Sequence, residues 1–232
     1  YWRESGSMLA ASYIFQCGTP CIYQGQEIGM TNIRLWSIDQ YVDVSTKNNF
    51  YSYHLKDDIK DRLKRIHLSS RDSSRTPMQW SGDKNGGFSK VKPWFYVNPN
   101  YRRINVKNEE DDPESILNFY RKCLALRKKS KTLILGAYKE YFPKDPNIYM
   151  YERSLGKVRY LIVCSFTKLP MRLKIPREYV GRKGQLLLCN YPEGHQVMAD
   201  KFKDRIRQEV SLLEWEHGML RPYEARVYRF RV

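Results

Sequence analysis

The texture of this chain changes at residue 133, and that change limits what it can fold into. From Leu133 on, short aliphatic and aromatic runs alternate with turns, over residues 136–142, 148–153, 159–166, 171–175, 185–190 and 225–232. Pro143-Lys144-Asp145-Pro146-Asn147 and Leu155-Gly156-Lys157 are turn signals between them. Several strands at this spacing predict an antiparallel sandwich or barrel. The chain before the boundary reads differently. Residues 5–16 form a helical pattern with Met8, Leu9, Ser12, Tyr13 and Phe15 spaced around it, and Gly18-Thr19-Pro20 breaks it. Cys21-Ile22-Tyr23 is a short apolar run suited to a buried parallel strand, with Tyr23 in the core. Gln24-Gly25-Gln26-Glu27-Ile28-Gly29-Met30 then reads as a polar, glycine-punctuated loop. Helix, turn, strand, loop is the grammar of a (β/α) unit. The fold class is therefore α/β followed by all-β, with the boundary near residue 132.

Residues 31–112 are irregular. One amphipathic helix is predicted over 53–68, with Leu55, Ile59, Leu63 and Ile66 on one face. The loop beyond it carries Trp80, Phe88, Trp94, Phe95, Tyr96 and Tyr101, an aromatic load that predicts order. Asp112-Pro113-Glu114-Ser115 opens a further helix, with Asp112 as its N-cap candidate, which runs to Arg127-Lys128-Lys129.

Charge and cysteines narrow the function classes. The 232 residues carry 41 Lys+Arg against 25 Asp+Glu, a net of +16. A polyanion partner would need that charge clustered on one face. Here basic residues are spread along the chain and mixed with acids, as in Lys56-Asp57-Asp58-Ile59-Lys60-Asp61-Arg62. No zinc-finger spacing or RNP-like signature accompanies them, which argues against nucleic acid. The five cysteines are odd in number and make no CxxC; Cys164 and Cys189 sit in apolar runs as inert thiols do. Cys17 and Cys21 have no histidine cluster beside them to complete a metal site. With no Asn-x-Ser/Thr sequon either, these facts point to a reducing, cytoplasmic setting. No apolar run reaches transmembrane length. The chain begins at Tyr1 in what already reads as a helix, and it is read as a fragment of a longer protein.

Four stretches together carry a resemblance. Gly18-Thr19-Pro20-Cys21-Ile22-Tyr23-Gln24-Gly25-Gln26-Glu27-Ile28-Gly29-Met30-Thr31-Asn32 resembles the eighth-strand signature of glycoside hydrolase family 13, the α-amylase superfamily. Ser70-Arg71-Asp72-Ser73-Ser74-Arg75-Thr76-Pro77-Met78-Gln79-Trp80 is similar to a segment shared by its oligo-1,6-glucosidases, maltases and isomaltases. Pro93-Trp94 through Val97-Asn98-Pro99-Asn100-Tyr101, and Leu220-Arg221-Pro222-Tyr223-Glu224-Ala225, also resemble that group. The basic stretch over 199–216 departs from it, being shorter in bacterial members.

The resemblance implies that residues 1–132 are the last part of a (β/α)8 TIM barrel: seventh helix, eighth strand, insertion and eighth helix. Residues 133–232 would be an antiparallel β-sandwich C-terminal domain. It further implies an α-glucosidase acting on small oligosaccharides, α-1,4- or α-1,6-linked, with retention and without a cofactor; no metal ligand is assigned in this chain, and any structural calcium site is expected upstream. Retaining glycosidases use two carboxyl groups about 5 Å apart, and this family adds an Asp after an Asn-His. None of His54, His67, His195 and His217 lies in an Asn-His-Asp motif, so no catalytic residue is assigned, and the chain alone is expected to be inactive. Arg75 is the candidate substrate-binding residue; its alternative is a structural ion pair with Asp72 or Glu27. Arg71 and Asp72 are expected to hold the loop, and Glu27 to act as a hydrogen-bonding brace. Trp80 and Trp94 are read as buried aromatics, with sugar stacking as the alternative. Two alternatives stand beside the glucosidase reading: a sucrose isomerase or dextran glucosidase on the same scaffold, and a non-catalytic amino-acid transporter heavy chain.

Overall fold

The computed structural model describes residues 1–52, 58–191 and 218–232. Leu55 of the predicted helix face, the histidines at 54, 195 and 217, and the basic stretch over 199–216 lie outside the described residues. The chain forms two compact units, Tyr1–Tyr23 with Asp112–Val232, and Gln24–Asp111.

Helix α1 (Trp2–Ile14) opens the chain, three residues ahead of the predicted start, with Glu4 in its first turn. Cys21-Ile22-Tyr23 is not a strand. A parallel strand exists only through hydrogen bonds to neighbours, and no described strand pairs with this segment. Tyr23, expected in the core, is accordingly 54% exposed.

The Gln24–Asp111 unit holds α2 (Val44–Ser52), α3 (Ile59–Ser69) and α4 (Val106–Glu110), joined by 3-10 turns. Ile33, Leu35, Ile38, Tyr41, Phe50, Ile66 and Phe95 form its core, so the aromatic loop is ordered as expected. The helix predicted from residue 53 appears as α3, capped by Asp58, whose carboxylate accepts the Lys60 N–H at 3.2 Å. Its expected apolar face is only partly used: Ile66 is buried, but Ile59 is 63% exposed.

Helix α5 (Ile116–Lys129) follows. Its N-cap is Ser115, not Asp112: the Ser115 hydroxyl accepts the Asn118 N–H at 3.1 Å. Asp112 instead accepts the Glu114 N–H at 2.9 Å and shapes the turn before it. Three cations fill the last turn of α5, where they face its negative dipole end. After α6 (Lys131–Leu135) come β1 (Ala137–Tyr141), β2 (Ile148–Leu155), β3 (Val158–Ser165), β4 (Met171–Arg172), β5 (Gln185–Cys189), β6 (Met219–Leu220) and β7 (Ala225–Arg231). Five of them make an antiparallel sheet in the order β1-β2-β3-β7-β5, and β4 pairs with β6 in a two-stranded ribbon.

The period of two sorts the side chains of this sheet onto two buried faces. Tyr151, Tyr160, Ile162, Cys164 and Val227 pack with Met8, Ala11 and Phe15 of α1 and with Ile116, Phe119 and Cys123 of α5. Met150, Leu161, Val163, Tyr228 and Phe230 pack with Leu173, Tyr179 and Leu220 on the other face. Burial on both faces explains why residues 160–164 of β3 read as one continuous apolar run.

Candidate functional site

The segment around Arg75 folds on local hydrogen bonds. The Ser70 hydroxyl accepts the Asp72 N–H at 3.1 Å and caps a 3-10 turn over Arg71–Arg75. That turn places Arg75 three residues after Asp72 on the same side, and Nη1 of Arg75 meets Oδ1 of Asp72 at 2.9 Å. Asp72 is fully buried, and its Oδ2 accepts the Val42 and Asp43 N–H groups at 2.8 and 3.0 Å.

Asp43 completes the cluster. Its Oδ1 lies 3.2 Å from Nη2 of Arg75 and 3.4 Å from Nε of Arg71, and its Oδ2 accepts both the N–H and the hydroxyl of Thr46 at 2.9 Å. The Thr46 hydroxyl proton is thereby spent, so the 2.9 Å contact between the Thr46 and Ser70 hydroxyls has Ser70 as donor. Arg71 also donates to the Ser45 hydroxyl at 2.7 Å. Two buried carboxylates thus face two guanidinium groups, and each carboxylate has a full set of donors. Burial pushes the Asp43 pKa up, but the Thr46 bonds and then Arg71 and Arg75 outweigh it and hold it below the usual carboxylate value. Arg75 is held protonated more firmly than usual, chiefly by its hydrogen bond to Asp72.

Arg75 remains 38% exposed. Its fork is fixed on one side by two aspartates and retains N–H donors on the other. Such a group can present donors in one plane to hydroxyls or a carboxylate. The ion pair that stood as the alternative for Arg75 forms with Asp72; its second partner is Asp43 and not Glu27. Glu27 sits in the 3-10 turn Gln26–Ile28, between Gly25 at φ 85° and Gly29 at φ 61°. A side chain at position 25 would also place its Cβ 2.3 Å from the Met30 sulfur, so only glycine fits. Oε2 of Glu27 is buried with no hydrogen-bond partner among the described residues.

Trp80 and Trp94, expected to be buried, are 51% and 72% exposed. What the core uses beside Trp94 is Phe95, which packs in the unit's cluster. The motifs themselves are tied together. Asn98 and Asn100 donate to the carbonyl and hydroxyl of Thr31, each at 2.8 Å, and Gln79 donates to Asn100 at 3.1 Å. Three of the four sequence stretches therefore meet in one hydrogen-bonded seam. The fourth closes its own turn: Glu224, fully buried, accepts the Arg221 N–H at 2.7 Å and pairs with Arg226 at 2.8 Å. Asp43 is the residue that sequence reasoning missed. Its signal was the Asp-x-x-Thr spacing of Asp43 and Thr46, a helix-start pattern at the head of α2.

Among the described residues no group of three or more His, Cys, Asp or Glu side chains could hold a metal ion. No helix among them is long and apolar enough to cross a membrane.

Comparison with known proteins agrees with the motif reading. The family model for the α-amylase catalytic domain matches residues 1–136. Oligo-1,6-glucosidase of Halalkalibacterium halodurans is 41% identical over 98% of this chain and 38% of its own length. Oligo-1,6-glucosidase of Parageobacillus thermoglucosidasius is 37% identical over 100% of this chain and 39% of its own. The crystal structure of isomaltulose synthase from Klebsiella sp. LX3 superposes with a TM-score of 0.82 at 33% identity, covering 99% of this chain and 38% of that one. The chain thus spans 38–39% of the length of the two oligo-1,6-glucosidases. With the family model covering more than half of it and the motif seam in place, the chain belongs to the α-amylase family, glycoside hydrolase family 13.

Proposed function

We propose that this chain is the C-terminal part of an α-glucosidase that releases terminal glucose from maltose- or isomaltose-type oligosaccharides with retention of configuration. In this reading the catalytic carboxylates stand upstream, and Arg75 supplies substrate contacts from the rim of the sugar pocket. Residues 1–132 would be the last part of the barrel, and residues 133–232 the C-terminal β-domain, a sandwich in which the β4–β6 ribbon faces the five-stranded sheet. The observation that carries the reading is the Arg75 fork, pinned by Asp43 and Asp72 with its remaining donors open. An arginine so held presents its hydrogen bonds without losing side-chain entropy at the moment of binding. Arg71 and Asp72 then act as structural supports on the active-site face, to which Glu27 also belongs. The identity to oligo-1,6-glucosidases along nearly the whole chain supports the same substrate class.

The test is kinetic, on the protein at its full length. Arg75→Lys keeps the charge but loses the fork. Loss of one charge-assisted hydrogen bond, about 1.5–3 kcal/mol, predicts a fall in kcat/KM of roughly 10- to 100-fold toward a chromogenic α-glucoside. Unchanged kinetics in a stably folded variant would reduce Arg75 to an ion-pair role. Product analysis from sucrose separates the second reading, a sucrose isomerase, which the 33% identity to isomaltulose synthase favours. Isomerised disaccharide instead of free glucose would establish it.

A further inference from the structure

On the face of the sheet opposite α1, a cavity of about 450 Å³ opens between β1–β3 and the 3-10 turn Arg177–Tyr179. That volume falls within the range of small-molecule pockets. Its floor is Glu152 of β2, almost fully buried. Oε2 of Glu152 accepts the Tyr179 hydroxyl at 2.5 Å, and Oε1 accepts Nη1 of Arg159 at 2.9 Å. The Tyr141 hydroxyl stands 2.9 Å from Oε2 of Glu152 and 2.9 Å from Oε1 of Glu178, and its single proton serves one of them. Glu178 pairs with Lys139 at 2.5 Å, and Arg182 donates its Nε–H to the Glu178 carbonyl at 2.6 Å. The Arg182 side chain is thereby turned along the cavity wall that it lines.

The chemistry of this lining selects its ligand. Arg159, Arg182 and Lys139 are donors only, and the two carboxylates are acceptors only. The hydrogen bond from Lys139 holds the Glu178 pKa down at about 2, and Glu152 is also lowered, since its tyrosine partners outweigh the cost of burial. Both therefore stay ionised at neutral pH. Three cations against two carboxylates leave the lining nearly balanced. An anion would meet Glu152 and Glu178, and a cation would meet the three basic groups. A neutral molecule whose groups both donate and accept meets neither penalty, and that is a polyhydroxylated one.

We propose that this cavity on the β-sheet is a carbohydrate-binding site for one or two units of a neutral saccharide, held by Arg159, Arg182 and Glu178. The site stands on its own lining and does not depend on the glucosidase reading.

Hydrogen exchange read by mass spectrometry tests it locally, on the protein at its full length, with maltotriose as probe and glucose 1-phosphate as the charged comparison. Maltotriose is expected to protect peptides covering 137–141 and 177–182. Arg182→Ala removes a wall donor and Ser154→Tyr fills the cavity from β2; each should raise the maltotriose concentration needed for protection at least about tenfold. Turnover of a chromogenic α-glucoside, measured in parallel, should be unchanged in both variants. Protection in a protein without turnover would support this site while sinking the glucosidase reading. No protection at these peptides, protection in both variants at the same maltotriose concentration as in the parent protein, or stronger protection by glucose 1-phosphate would each overturn the site.

Discussion

At the residue scale, the cluster behind Arg75 turns on Asp43. The folded protein holds the Asp43 pKa below its ordinary value. Between the folded value and the unfolded value near 3.9, the unfolded chain therefore binds more protons than the folded one. Stability from this group is present above pH ~4 and is lost as the pH falls through the folded pKa. Asp43→Asn removes that contribution and weakens the bonds to Arg71 and Arg75. It should cost about 1–3 kcal/mol at pH 7 and flatten the fall in stability below pH ~4. Denaturant melts of the two proteins across that range give the answer; an unchanged acid slope would mean that Asp43 does not carry it. Arg75 and Asp72 were legible because they share one contiguous motif. Asp43 was not, since it reaches Asp72 across 29 residues and only the fold brings them together.

At the element scale, the end of α1 is fixed by two arginines from elsewhere in the chain. Arg153 of β2 is fully buried, and its Nη1 donates to the carbonyls of Phe15, Gln16 and Leu133 at 2.8, 2.6 and 3.0 Å, while its Nη2 donates to Gly136 at 2.8 Å. Arg127 of α5 donates to Ile14 and Gln16 at 2.8 and 2.9 Å and also to Gly18. A helix ends with unpaired carbonyls and a partial negative charge, and a guanidinium answers both. Burial lowers the Arg153 pKa, yet it needs no carboxylate because the carbonyl dipoles converge on it. Arg153→Met keeps the bulk and strands these carbonyls, which should destabilise the protein by about 3 kcal/mol; Arg153→Lys, a point charge with a shorter reach, should recover part of it. Urea midpoints of the three proteins order them, and Arg153→Met as stable as the parent would refute the role. Strand β2 was readable as an apolar run between two turn signals, but an arginine at the end of that run reads as surface by default. The two-residue strands β4 and β6 leave no periodicity to read in isolation; β6 was missed, and β4 was expected over 171–175. Residues 21–23 failed as a strand for the opposite reason, since their pattern is that of a strand but no strand among the described residues pairs with them.

At the scale of the whole molecule, the same contrast predicts behaviour. The sheet is covered on both faces and the Gln24–Asp111 unit has its own core, so each unit has reason to hold together. Yet Tyr1, Leu9 and Tyr23 of one unit and Trp36, Val91 and Trp94 of the other are exposed. Apolar groups left in water each forgo about 1.5–3 kcal/mol relative to burial, and surfaces of this kind favour association. The purified 232-residue chain should therefore bind an environment-sensitive hydrophobic dye and sediment as more than a monomer. It should also show no turnover of a chromogenic α-glucoside. A pinned arginine orients a sugar but supplies neither nucleophile nor acid, and retaining hydrolysis needs two carboxyl groups about 5 Å apart across the scissile bond. Asp43 and Asp72 do not qualify, because every oxygen of the pair is already committed to Thr46, Arg71, Arg75 or backbone N–H groups. Turnover above the uncatalysed rate that disappears in Asp72→Asn would show that this cluster is itself the catalytic centre. Absence of turnover here, with activity restored when the chain is produced at the length of its relatives, would place the reacting carboxylates outside these residues and leave Arg75 as this chain's contribution to the sugar pocket.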